Sequence, residues 1–364
     1  MRPDKYLKQL IEPVFNTHRT KEILSYNPAV QPEREDVAMT KLFVYCYNAT
    51  EVAAHELKNI EEAFAYRDSD KICWINIDGI VKSDVQAIAQ HFLIHPLLVE
   101  DILSIGQRPK MDDIEGVMFC LLNMLYFNEQ NCSVEQEQVS IVLGKNFVIS
   151  FQEEAHRDVF NAVRDKLQLT ASRVRQKGAD YLCYSLLDMI VDHYFEVMDQ
   201  LGDKIEELEE EIIRASDTRS LAKLNSLRKE LIILKRNVAP VRELVNGFIK
   251  SESDLLDDKI NKYFKDVYDH IIQANEVAEN YRDILTSLQD LYISQVNLKM
   301  NEVMKVMAIV TCLLAPAAVI GGIFGMNFDL IPYAHQKSGF YITVGVMLLV
   351  PLIMLRIFKK RGWF

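Results

Sequence analysis

Asn327 follows Gly325 and Met326 at the point where a long apolar run meets a short polar loop. A side-chain amide there offers a neutral oxygen that can accept hydrogen bonds from the waters around a divalent cation. Mg²⁺ takes oxygen ligands in near-octahedral geometry and gives up its waters reluctantly. A ring of carboxylates would hold such an ion tightly and slow its passage. A ring of amides favours entry and still permits exit, which is the compromise conduction requires. Gly325 lets the backbone turn where the helix stops, while the soft thioether of Met326 suits packing better than Mg²⁺ ligation. The plain alternative is that Asn327 is a helix C-cap beside a glycine.

Upstream, Asn301, Met304, Thr311, Ala315, Ala318 and Gly322 recur at spacings of 3, 7, 4, 3 and 4 residues. Those intervals place them on one side of a helix, with Met307 and Ala308 beside the stripe. Lining a pore, Asn301 would supply a second ring of amide oxygens, and Met304 and Met307 a hydrophobic constriction that gates by dewetting. Close packing through small residues is the competing reading, but it leaves the polar Asn301 unexplained.

These residues need membrane helices to position them. Val306–Phe324 gives 19 residues without a charge and Gly339–Leu355 gives 17 more, with 14 between them. Each run approaches the roughly 20 apolar residues that cross about 30 Å of hydrocarbon. Two spans cannot enclose an aqueous path, so a homo-oligomer is required, most simply a symmetric ring. Arg356, Lys359, Lys360 and Arg361 follow the second span, whereas the hairpin loop has only Lys337 and His335. The positive-inside rule therefore puts the tail in the cytoplasm and the loop outside, and an even number of spans returns the N-terminal region to the cytoplasm.

The rest of the chain sets the context. Acids outnumber bases 52 to 41 for a net charge of −11, which argues against nucleic-acid or anionic-lipid binding by the whole soluble part and suits contact with cations. Six cysteines show no CxxC pair or zinc spacing; several lie in apolar runs and read as buried reduced thiols, which argues for a cytoplasmic soluble part. Met1–Asn27 is polar and carries no signal-peptide pattern. The organisation expected is an α/β region over residues 1–170, charged helices over 171–302, a first span over 303–324 and an outer loop over 325–338. A second span over 339–358 and a basic tail over 359–364 complete it.

Within the first region, Lys41–Tyr47, Ile72–Ile77, Val117–Phe127 and Val139–Phe151 read as β segments, the last divided by a Gly144-Lys145-Asn146 turn. Ser83–Phe92 reads as a helix capped by Ser83. From Asp203 through Ala239 there is neither Gly nor Pro, and acids crowd Asp203–Glu211. That crowd is either a solvated helix face or an acidic screen that concentrates cations near an inner mouth. The spacing of Ile260, Phe264, Val267 and Ile271 continues a helical pattern, expected to run from about Leu255 to Phe324 over on the order of 100 Å. Such a rod would carry movement from the soluble region to the pore.

A membrane hairpin ending an acidic soluble region, with Gly-Met-Asn at its turn, resembles the CorA family of divalent-metal channels. The resemblance covers most of the chain from about Lys41 onward, including Tyr263–Asp269, Asn301–Met307 and the basic end Lys359–Trp363. It implies an α+β membrane protein: a funnel-shaped homopentamer with an α/β/α cytoplasmic domain and a very long helix continuing into the first of two C-terminal spans. It also implies passive uptake of Mg²⁺, with Co²⁺ and Ni²⁺ accepted, across the inner cell membrane. Asn301, Met304, Met307, Thr311, Ala315, Ala318, Gly322 and Asn327 would be the pore positions. The resemblance also implies regulatory Mg²⁺ sites between neighbouring cytoplasmic domains, which would fall on Asp101 and Asp266, with Glu100, Asp188 and His270 in an adjoining site. Two departures stand out. Phe324 replaces a tyrosine common before Gly-Met-Asn, and Pro332-Tyr333 replaces a Pro-Glu pair, leaving Asp329 as the only loop acid.

Other classes compete. No phosphate-binding loop supports an ATP-driven pump, and a divalent ion falling through 100 mV already gains about 4.6 kcal/mol. A zinc transporter of the same superfamily is the nearest alternative, disfavoured by the absence of a His/Cys cluster. A membrane-anchored sensor or scaffold would tolerate any apolar spans. A hydrolase lacks a nucleophile, base and orienting group in a recognisable pattern.

Overall fold

A computed structural model describes residues 40–153, 157–214, 217–326 and 337–363. Seven strands form one sheet: β1 (Lys41–Tyr47), β2 (Val52–Leu57), β3 (Ile72–Asp78), β4 (Lys110–Ile114), β5 (Val117–Asn128), β6 (Ser133–Leu143) and β7 (Phe147–Gln152). Their order is β2-β1-β3-β7-β6-β5-β4. The β3–β7 pair is parallel and the other neighbours are antiparallel.

Central strands β3 and β7 are buried along nearly their whole length because helices cover both faces. On one face α1 (Lys82–Phe92) and α2 (Pro96–Leu103) bury Val85, Ile88, Phe92, Leu98 and Ile102 against Val44, Ile75, Ile77, Phe119 and Ile149. The other face meets α3 (Asn161–Gln168), α4 (Ala179–Arg214) and α5 (Thr218–Lys250). Hydrogen bonds pin this second layer: Tyr194 donates to the Asn123 carbonyl at 2.6 Å, and the Asn123 amide donates to Asn237 at 2.7 Å. Glu230 accepts from the Val134 backbone N–H at 2.7 Å.

After a 3₁₀ turn at Asp258–Ile260, α6 runs from Asn261 to Phe324, 64 residues without interruption. The helix thus begins about two turns later than the residue pattern suggests. α7 spans Lys337–Lys360. The chain separates into two compact units between Gln289 and Asp290, within α6.

The charged stretch holds two helices, α4 ending at Arg214 and α5 starting at Thr218, where the Asp217 carboxylate accepts from the Arg219 and Ser220 N–H groups at 2.9 Å. Two local readings are corrected. Ser83 does not cap α1; Val81 occupies the cap in extended conformation with no side-chain hydrogen bond. Cys46 and Cys73 form a disulfide rather than staying reduced. The antiparallel register of β1 and β3 sets them directly opposite each other with Cα atoms 4.2 Å apart. Cys120 and Cys183 remain buried thiols, so cysteine usage no longer argues for one compartment.

Candidate ion path and metal-binding cluster

Within the second unit, α6 and α7 bury one face each. On α6, Ile309 is buried and Leu313, Pro316, Ala317 and Ile320 are half-buried. On α7 the covered positions are Gly339, Thr343, Met347, Val350, Pro351, Met354 and Phe358, which recur at helical spacing on one face. The two faces meet: a Cβ added at Gly321 would lie 3.3 Å from Met347 Cε. Small residues at such a contact let helices approach closely.

Thr311, Ala315, Ala318 and Gly322 each lie two residues after Ile309, Leu313, Pro316 and Ile320. At about 100° per residue they stand roughly 200° around the helix from the face that meets α7. All four are exposed, as are Asn301, Met304 and Met307. The Thr311 hydroxyl donates to the Met307 carbonyl at 2.8 Å, which keeps its polar atom on the helix and leaves its methyl outward. Both helices are long and apolar enough to cross a membrane, and their apolar stretches are almost wholly uncovered within one chain. A single chain therefore leaves the whole stripe uncovered. Gly325 and Met326 follow the helix, the Gly325 N–H bonding the Gly321 carbonyl at 2.9 Å. Asn327 lies outside the described residues.

The second candidate lies within the first unit, between α4 and α6. Asp188, Asp192 and His270 bring one ligand atom each within 4.8 Å of one another. Tyr184 donates to Asp188 Oδ2 at 3.1 Å, and Asp188 Oδ1 is buried without a hydrogen-bond partner among the described residues. His270 Nδ1 stands 3.6 Å from Asp192 Oδ1, beyond good hydrogen-bonding length. Burial pushes the Asp188 carboxyl up to about 6, and Asp192 adds to the shift; hydrogen bonding from Tyr184 and the charge of His270 oppose it. Asp192 is raised by burial too, with His270 and Lys166 pulling it back and Asp266 pushing it up. Two carboxylates forced together with a bare buried oxygen form a donor set that fits a divalent cation. The imidazole adds affinity for ions of the Co²⁺ or Ni²⁺ kind.

Of the regulatory positions drawn from the sequence, Asp188 and His270 come together, and Asp266 is close enough to influence both carboxylates. Asp192 escaped the sequence reading, although it stands one helical turn after Asp188, where like charges normally repel. Asp101 lies on α2 and is held by Lys110 at 2.5 Å, which also reaches Asp112 at 3.3 Å. Exposed Glu100 makes no ion pair or hydrogen bond through its side chain among the described residues. Within one chain, neither Asp101 nor Glu100 joins the Asp188 group.

Comparisons with known proteins agree with this architecture. A family model described as CorA-like Mg²⁺ transporter protein matches residues 69–360. The cobalt/magnesium transport protein CorA of Thermotoga maritima is 38% identical, covering 91% of this chain and 93% of that one. A putative metal ion transporter of Bacillus subtilis, YfjQ, is 30% identical and covers 80% of this chain and 89% of that protein. The complete structure of the CorA magnesium transporter from Methanocaldococcus jannaschii aligns with a TM-score of 0.72 at 21% identity, covering 91% of this chain and 100% of that one.

Proposed function

The chain belongs to the family of CorA-like Mg²⁺ transporters, and from that premise we propose that it carries Mg²⁺, with Co²⁺ and Ni²⁺ as further substrates, into the cytoplasm through a homopentameric pore. It is a membrane transporter and not an enzyme. The relatives named as cobalt/magnesium transport proteins support the choice of ion. The observation that carries the path is the uncovered stripe of α6 opposite the face that meets α7. Copies arranged around an axis would bury that stripe against one another's ion path and leave α7 toward lipid.

In this reading Asn327, with Gly325 and Met326, forms the outer filter. Thr311, Ala315, Ala318 and Gly322 line the path, Met304 and Met307 form the gate, and Asn301 rings the inner mouth. The N-terminal region, the helices over 171–302 and the basic tail over 359–364 lie in the cytoplasm. Internal Mg²⁺ closes the pore by binding between neighbouring domains, where Asp101 and Glu100 of one copy approach Asp266, Asp188 and His270 of the next. Facing carboxylates repel until a hard cation neutralises them.

Cysteine accessibility tests the path. In a background with Cys312 replaced by Ala, Ala315→Cys treated with a small cationic thiol reagent should lose Mg²⁺ flux. Ile320→Cys, on the face toward α7, should keep it. Equal block at both positions would mean that the stripe does not line the path.

A further inference from the structure

The three-helix assembly of α4, α5 and the first part of α6 carries two unlike charged surfaces. Exposed acids Asp203, Glu206, Glu207 and Glu210 share one face of α4. Glu207 is engaged by Lys204 at 2.7 Å and Glu210 by Arg214 at 2.8 Å, but Asp203 and Glu206 have no ion pair among the described residues. Between α5 and α6 runs a groove of about 550 Å³ lined by Arg228, Lys235, Arg236 and Arg282 over an apolar floor of Leu231, Ile232 and Leu285. Glu279 takes up Lys235, and Arg282 at 2.7 Å. Arg228 and Arg236 have no acidic partner among the described residues.

Both surfaces stand at the same level of α6. Tyr281 meets α4, its hydroxyl 2.5 Å from where a Cβ on Gly202 would stand, and it titrates high because of burial and the nearby Asp199 and Asp203. Glu279, two residues earlier, meets Lys235 of α5. Two residues are about 200° around a helix, so α4, which carries the acidic face, and α5, which borders the basic groove, meet α6 on different sides at one height. A closed ring needs such a pair, because every subunit must offer two different complementary patches to its neighbours.

We propose that the acidic face of α4 docks into the basic groove between α5 and α6 of the next copy, so that Asp203 and Glu206 meet Arg228 and Arg236 across each subunit boundary. The occupant is a second copy of this chain, as charge and level both match. Charges so arranged fix partner and register more than they add affinity. The contact rests on the oligomer proposed above.

The test uses the full chain in membranes, with Cys132 and Cys312 replaced by Ser. Glu206→Cys combined with Arg236→Cys should give, on mild oxidation, a ladder of cross-linked species on a non-reducing gel, and neither single variant should. Separately, Glu206→Lys should shorten the survival of the oligomer in low salt at least tenfold, high salt should narrow that gap, and adding Arg236→Glu should restore it. Light scattering on the same samples reports the mass of the assembly. An oligomer that forms normally, yields no cross-link and ignores both charge reversals would overturn this contact and leave the oligomer standing. A monomer would overturn both. A small anion retained by the wild type and lost from Arg236→Glu, without cross-linking, would assign the groove to an anionic ligand and also overturn the contact.

Discussion

Replacing Asp188 by Asn separates what its carboxylate does for a cation from what it does to the metal-free fold. Burial, with Asp192 adding, holds this carboxyl at about 6 against 3.8 for an ordinary aspartate. Taken whole, a shift of about two units at roughly 1.4 kcal/mol each amounts to about 3 kcal/mol of destabilisation. Asp188 is only half-buried, and solvent screening reduces the figure to about 1–2 kcal/mol. Because the folded-state value is the higher one, the penalty is complete above about pH 6 and fades as the pH falls from there toward 3.8, since across that window the folded state takes up the proton before the unfolded state does. Tyr184 can donate to an amide oxygen as it does to the carboxylate, so the substitution strands no partner. In EDTA at about pH 8, the full-length Asn variant in detergent should melt about 2–4 °C above the wild type. The gap should close on acidification. Added Mg²⁺ should reverse the order, since a ligand that binds only the folded state stabilises in proportion to its affinity. A variant that melts below the wild type in EDTA at pH 8 would refute the reasoning, because the carboxylate would then be a structural group.

Three further outcomes follow from neighbouring features. Lys110→Met frees Asp101 from its 2.5 Å ion pair; the metal-free protein should lose about 1–3 kcal/mol in thermal unfolding, while inhibition by internal Mg²⁺ sets in at lower concentration. Acidifying the cytoplasmic side from about pH 7.5 to 5.5 should weaken that inhibition about fourfold, because a carboxyl that titrates near 6 must shed its proton before it can bind metal. Met307→Ser should raise flux at high internal Mg²⁺, since a polar side chain at the constriction makes dewetting harder; flux unchanged in a dye-loaded vesicle would remove Met307 from the gate.

Much of the architecture could be read from the chain because its signals are long. Two charge-free runs give both spans, and α6 continues through the expected rod. Short or solvent-facing elements were less legible. β2 reads Val-Ala-Ala-His-Glu-Leu and β4 reads Lys-Met-Asp-Asp-Ile; both are edge strands, half-exposed, with no apolar alternation to betray them. The first half of β6, Ser133–Gln138, hides behind polar residues for a related reason: Glu137 and Gln138 are buried, with Glu137 accepting from the Glu153 N–H and Gln138 Nε2 donating to the Asp101 carbonyl.

α5 continues through Pro240 to Lys250. Burial of Val241, Leu244, Val245 and Phe248 beyond the proline outweighs the missing N–H. At the metal cluster, Asp188 and His270 were legible through a family resemblance, but only the packing of α4 against α6 shows that Asp192 shares their space. No local signal joins residues 78 positions apart.

The most direct test is Mg²⁺ influx into proteoliposomes loaded with a Mg²⁺-sensitive dye, at low internal Mg²⁺ and an inside-negative potential, comparing wild type with Asn327→Ala. Rapid influx through the wild type, abolished by the substitution while the oligomer stays intact, is the predicted result. No influx through the wild type, or equal influx through both, would contradict a Mg²⁺ pore filtered at Asn327; Zn²⁺ influx in the first case would point to a zinc transporter instead.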